Sequence, residues 1–165
     1  MSLTASEQYC LDEVRRHDHD RYLTALFLPA DRRPAALALY AFNLEIARTR
    51  EIVSEPLLGQ IRLQWWRETI KGLFAGTPRE HPVVDALSAA ICQHDLPPDR
   101  LEALIDAREA DLEDGPPSDL EALEGYAAAT SGELSALVMQ TLDGMGDVSI
   151  AAARQVGTAW AIIGL

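Results

Sequence analysis

Along almost the whole chain, apolar residues recur three or four positions apart, with Ala and Leu supplying most of them and β-branched residues sparse. That period lines the apolar side chains along one stripe of an α-helix and leaves no alternating run suited to a strand. A chain patterned this way buries its stripes by packing helix on helix, so the expected class is all-α. Caps and breakers divide the helices. Thr4 and Glu7 form a capping-box pattern ahead of a helix over 5–17. A short helix over 19–28 is ended by Pro29. Asp31 is the expected cap of the next, with Pro34 in its first turn, and that helix is expected to run to 53. Ser54 is the expected cap of a helix that has Pro56 near its start and ends at Gly72–Gly76. Helices follow over 82–94, 98–113 and 119–142, the last capped by Ser118 or Asp119 and bent between Gly125 and Gly132. The segments "TPREHP", "EDGPPSD" and "DGMGD" are the breaks, and a final helix starts near 148. Short loops between such helices imply an antiparallel bundle.

The 165 residues suit one domain, and 48% hydrophobic with 24% charged residues describes a globular rather than a disordered chain. The last stretch, "GTAWAIIGL", keeps the helical spacing but has no cap, charge or tail. Residues 1–165 therefore read as the N-terminal portion of a single helical domain whose core continues past Leu165, the alternative being a short protein with a buried terminal helix. A net charge of −12 weighs against nucleic acid, which needs clustered Lys and Arg. The acids crowd residues 102–124, whereas basic residues gather at 15–33 and 48–67. Cys10 and Cys92 form no CxxC and read as two buried thiols in a reducing compartment. The chain opens on no signal-peptide pattern, and no apolar run approaches the roughly eighteen residues of a spanning helix, so a cytoplasmic location is expected.

Four stretches carry chemistry. In "LYAFNLEIARTRE", 39–51, the helical spacing places Tyr40, Leu44, Ala47 and Glu51 along one face, with Asn43 and Arg50 beside it. Two carboxylates four apart on such a face can grip a Mg²⁺ ion that bridges a diphosphate. Here only Glu51 holds one of those positions, and Glu45 points about 120° away around the helix. Arg48 and Arg50 could meet a phosphate without metal. The alternative is a solvated helix end with Glu45–Thr49 and Arg48–Glu51 as ordinary surface pairs. In "DAREADLED", 106–114, Asp106, Glu109 and Glu113 share a face and Asp111 lies off it. They read either as ligands of a hydrated cation or as a solvated acidic face. "HDHD", 17–20, points its two histidines to different sides, so Asp18 or Asp20 as a helix cap is the simpler reading. "QWWRE", 64–68, can set one tryptophan toward the core and the other toward a groove or membrane interface, a core role being the default reading. No Ser-His-Asp order, phosphate loop or zinc spacing occurs.

The stretch from Tyr22 to Ile70 resembles the squalene/phytoene synthase family. "ALFLP", an arginine a few residues on (Arg33), "LYAF", an acid-ended helix and "WWRE" occur together, and "EADL" and "YAAATSGELSALVM" follow in the family's order. The likeness spans about 20 to 165. It implies an all-α, antiparallel bundle of the isoprenoid (terpenoid) synthase type around a central cavity. Active members join two prenyl diphosphates head to head with Mg²⁺ held by two Asp-rich helices. The resemblance therefore implies Arg33, Tyr40, Asn43, Ala47, Arg48 and Glu51 as diphosphate or cavity residues. It implies Asp106 and Glu109 as a second acidic patch, and Glu51 as the metal ligand.

The pattern departs from the family where the chemistry lies. Asn43 and Leu44 stand where active members have Cys-Arg, and Ala47, Arg48 and Glu51 stand where they have three aspartates. A cation at Arg48 repels Mg²⁺ in a low-dielectric cavity. "GTAWAIIGL" resembles the helix before the second Asp-rich motif, with Ala161 at the family's Gln and Gly164 at its Asn, and the aspartates would lie beyond Leu165. In these departures "AFNLEIARTRE" and "VSEPLLGQIRLQWWRETI" are similar to a divergent branch that includes complex I assembly factor 6-like proteins. The resemblance implies an atypical or non-catalytic protein that acts in assembly of a membrane respiratory complex, with a protein partner and a place in the cytoplasm or against the inner membrane. Two other readings stand beside it. One is an active Mg²⁺-dependent prenyltransferase using Glu51, Glu109 and downstream acids; the other is a module that binds an isoprenoid or other apolar lipid.

Overall fold

Local hydrogen bonding sets the first helix as its sequence requires. Thr4 Oγ1 accepts from the Glu7 N–H, and the Glu7 carboxylate accepts from the Thr4 N–H, closing a capping box on α1 (Ala5–His17). The computed structural model describes residues 3–53, 55–113, 115–142 and 146–164, and no strand occurs among them. After α1 come α2 (His19–Leu26), α3 (Arg33–Ala47), α4 (Thr49–Ile52), α5 (Pro56–Phe74) and α6 (Pro82–His94). They are followed by α7 (Pro98–Ala107), a 3₁₀ turn (Arg108–Leu112), α8 (Leu120–Ala127), a π turn (Ala128–Gly132), α9 (Glu133–Gln140) and α10 (Asp147–Gly164). Asp18 caps α2 through the Arg21 N–H, and Asp119 caps α8 through the Ala122 N–H.

The centre of the bundle is α3. Every residue from Ala35 to Asn43 is buried, so this helix is covered on all sides rather than along one stripe. α1 and α6 pack on one flank and α9 on another. Phe42 meets the ring of fully buried Trp66 edge-on at 5.4 Å, which ties α3 to α5. Burying rings of this size stabilises by about 2–3 kcal/mol each. Trp65 is the half-buried neighbour, lying under the Arg79 guanidinium at 5.2 Å. α10 closes on the π turn and α9 at van der Waals limits. A Cβ at Gly157 would come within 2.4 Å of the Ser131 carbonyl oxygen, and one at Gly132 within 2.6 Å of Thr158 Oγ1.

Several expectations need correction. α2 ends at Leu26 because the Arg33 guanidinium takes its last carbonyls. Asp31 does not cap α3. It pairs with Arg32 at 3.3 Å, and α3 starts on Arg32 and Arg33 with no side-chain cap. The helix expected to reach 53 breaks at Arg48, whose ψ of 4° ends α3 and starts α4. The helix expected over 98–113 tightens into the 3₁₀ turn after Ala107, and the one over 119–142 is three pieces joined by the π turn. Cys10 is buried, and burial pushes its thiol up to about 12, but Cys92 is exposed because it lies on the outer side of α6. Ser54 as a cap and most of the "DGMGD" break lie outside the described residues. Among the described residues no helix is long and apolar enough to cross a membrane.

Candidate functional site

The break at Arg48 decides what the "LYAFNLEIARTRE" helix can present. Before it, Tyr40 and Asn43 lie three apart and point inward, 9% and 3% exposed. Burial pushes the Tyr40 phenol up, against the lowering effects of a hydrogen bond with Thr24 and of the Arg21 charge. Asn43 is held by Arg108. Arg108 Nη2 donates to Asn43 Oδ1 at 3.1 Å, and Nη1 donates to the Tyr126 hydroxyl at 2.7 Å and lies 3.4 Å from Asp111 Oδ2. The Tyr126 hydroxyl in turn donates to Asp111 Oδ1 at 2.5 Å. Burial, joined by the bond to Asp111 and opposed by the Arg108 charge, pushes the Tyr126 phenol up to about 12. This network links α3, the 3₁₀ turn and α8. Beside it, Arg21 on α2 donates to Ser131 in the π turn at 3.0 Å while holding Asp18 at 2.6 Å.

The remaining expected site residues do not join that cluster. Leu44 and Arg48 turn toward α1 and α6, where they line a cavity of about 20 Å³ with Glu13, Ala41, Glu45, Ile52 and Val83. That is room for about one water. Tyr40 and Leu44 lie four apart on the unbroken part of α3 and so share one side of it, Tyr40 buried and Leu44 at this small cavity. Ala47 is half-buried and offers no donor atom. Glu51, four residues past it, is turned out by the break. Its side chain is 73% exposed and lies 3.6 Å from Arg48. The expected Glu45–Thr49 surface pair is absent from the described contacts: Glu45 instead accepts from Arg62 at 2.5 Å, and Thr49 is buried. Arg33 is spent on the backbone, donating to the carbonyls of Ala25, Leu26 and Leu28.

The second acidic patch is a fork on the outside of the bundle. Arg67 on α5 donates to Asp106 at 2.7 Å and to Glu109 at 2.5 Å, both carboxylates being 60% exposed. Next to it α5 and the 3₁₀ turn form a groove of about 390 Å³, lined by Pro56, Gln60, Gln64, Arg67, Glu109, Leu112 and Glu113. Spacing did not reveal Arg108 or Tyr126. The available signal was that Arg108 is the only cation between Glu102 and Glu124. A lone cation amid nine acids is a counter-ion, and its burial selects which acid it serves.

The fold family implies Mg²⁺, and the donor set tests it. A Mg²⁺ ion needs oxygen ligands in near-octahedral array, one or two of them carboxylates facing the same point. At the first motif stand a methyl group, a guanidinium and an outward carboxylate already paired. At the second patch both carboxylates are engaged by Arg67. Among the described residues no group of three or more His, Cys, Asp and Glu is placed to hold a metal. These residues do not fit Mg²⁺.

Bundle and site together define an all-α protein of the isoprenoid synthase fold whose first acidic helix lacks the synthase ligands. The family model for squalene/phytoene synthase matches residues 14–165, and the chain belongs to that family. It is 35% identical over 164 residues to the Bos taurus protein named NADH dehydrogenase (ubiquinone) complex I, assembly factor 6, covering 99% of this chain and 49% of that one. The Homo sapiens protein of the same name is 35% identical over 159 residues, covering 96% and 47%. The chain thus spans about half the length of these curated relatives. Among solved structures, a dehydrosqualene synthase in complex with ligand superposes with a TM-score of 0.85 at 18% identity, over 96% of this chain and 55% of that one. That likeness concerns the fold alone.

Proposed function

We propose that the protein is a non-catalytic member of the family that acts in assembly of a membrane respiratory complex by binding a protein partner. The observation that carries this reading is the state of the first motif. Its positions hold Ala47, Arg48 and Glu51, and Arg48 pairs with the one remaining acid while the helix break turns that acid to solvent. A synthase must neutralise a leaving diphosphate, and a site without carboxylates to hold metal has lost the usual means. The names of the bovine and human relatives support the assembly role. The reading places the protein in the cytoplasm, peripheral to the inner membrane. Prenyl diphosphates or other apolar lipids are the small molecules its fold would take. Incubation with Mg²⁺ and farnesyl or geranylgeranyl diphosphate tests the reading: no product above the protein-free control is expected, and steady product formation overturns it.

A second reading, Mg²⁺-dependent prenyl transfer in altered geometry, has one observation in its favour, the carboxylate retained at Glu51. It requires Mg²⁺-dependent diphosphate binding that Glu51→Gln abolishes, and calorimetric titration of the two proteins separates the readings.

A further inference from the structure

The groove between α5 and the 3₁₀ turn belongs neither to the core nor to the inner network. Its floor is closed: Gly59 sits so near Leu112 that an added Cβ would come within 2.4 Å of Leu112 Cδ2, and Leu112 is 6% exposed. One wall is the Gln60–Gln64–Arg67 face of α5, and the other carries Glu109 and Glu113. At about 100° per residue, Leu57 and Ile61 stand on the flank of α5 next to that wall. They are 62% and 58% exposed and make an apolar shelf along the groove's lip. Exposed apolar side chains gathered beside a polar groove mark an interaction surface more often than isolated ones do.

Charge selects the occupant. Arg67 is one cation facing Asp106, Glu109 and Glu113, so the groove keeps an excess of carboxylates after its own ion pairs are made. The chain as a whole carries a net charge of −12. Such a site repels anionic lipid headgroups and phosphates, and it attracts Lys and Arg.

We propose that this groove docks a cationic amphipathic segment of a protein partner, its apolar side on Leu57 and Ile61 and its Lys or Arg side chains against Glu109 and Glu113. The proposal rests on the assembly reading only in calling for a protein partner. A helix in a groove is read through apolar anchors at i and i+4, which is the spacing Leu57 and Ile61 offer in return.

Two fluorescent synthetic helices with the same leucine stripe, one with Lys and one with Glu on the polar face, provide the probes. Anisotropy titration of the protein should show binding of the Lys helix that weakens as salt is raised, and none of the Glu helix. The double variants Leu57→Ser/Ile61→Ser and Glu109→Gln/Glu113→Gln should each weaken binding about thirtyfold, the size of an interface hot spot. Glu121→Gln/Glu124→Gln, which removes exposed acids outside the groove, should leave it unchanged. Equal loss in that control would make the attraction one of net charge and overturn the site. So would binding indifferent to both groove variants, or equal binding of the Glu helix. Binding of phosphatidylglycerol vesicles that the groove variants abolish would assign the surface to lipid instead. A dimer in light scattering that Leu57→Ser/Ile61→Ser dissolves would assign it to a second copy. Because the titration needs no turnover, prenyl transfer by the protein would overturn the assembly reading and leave this result standing.

Discussion

Arg108 and Arg67 meet carboxylates from the same six residues, Asp106 to Asp111, yet the two clusters are different kinds of structure. Arg67 is 17% exposed, but the Asp106 and Glu109 it grips stand 60% exposed, so water competes for both carboxylates. Arg108 is 13% exposed, and its carboxylate partner Asp111 21%; its other two partners are the buried Asn43 and the Tyr126 hydroxyl. The contrast teaches that residue type and spacing place charges on a helix, but burial decides whether a pair joins elements or decorates a surface. Removing a guanidinium whose acceptors are buried leaves them desolvated, whereas removing one whose acceptors are exposed leaves them solvated.

The comparison is broken or sharpened by a graded series. Arg108→Met should have the largest effect, about 3 kcal/mol lost in urea unfolding, because Asp111, Asn43 and Tyr126 all lose their donor or neighbour at once. A loss no greater than that of Arg67→Met would erase the distinction. Tyr126→Phe removes one hydroxyl from the network and should cost about 1–2 kcal/mol. The same variant gives the pH dependence its sign. The Tyr126 phenol is raised from 10.0 to about 12, so the folded state holds its proton more tightly than the unfolded chain. Its contribution is complete below pH 10 and falls away between about pH 10 and 12. Cys10 is raised to about 12 and Tyr40 is also raised, so they add to that alkaline loss in both proteins. The measurement is therefore the difference between wild-type and Tyr126→Phe stability curves, which should narrow as pH rises through that window. Arg67→Met comes last, within about 1 kcal/mol and shrinking further with added salt.

Much of the bundle could be read from local signals, since Thr4, Glu7, Asp18, Asp119 and the helix-starting prolines act within one turn of themselves. Helix 82–94 falls where its period puts it. The break at Arg48 could not be read that way. Nothing in "IARTRE" disfavours a helix, and the buried Thr49 shows that packing, not propensity, sets the turn. The π turn was half legible, because Gly125 and Gly132 announced a bend. Its form depends on Thr130, whose hydroxyl donates to the Tyr126 carbonyl at 2.7 Å and competes for a helix acceptor. Of the inner network, Asn43 lies in a stretch that sequence marked, but its partner Arg108 is 65 residues away. Periodicity carries no information across that distance. The helical wheel drawn over "LYAFNLEIARTRE" assumes that the helix goes on, and this one stops inside the motif.

The π turn also constrains how the chain can change over evolutionary time. It places one extra residue between Tyr126, which serves Asp111, and Leu134 and Leu137, which fill the core. The wide turn takes that residue up locally, so the segments on either side keep nearly the phase of an uninterrupted helix. One residue could therefore be lost between Ala128 and Gly132 with Tyr126 still facing its acid and the leucines still in the core, and what would change is the local backbone that lets Gly132 approach Thr158. Homologous chains should align across residues 126–137 with at most a one-residue gap, placed in the π turn.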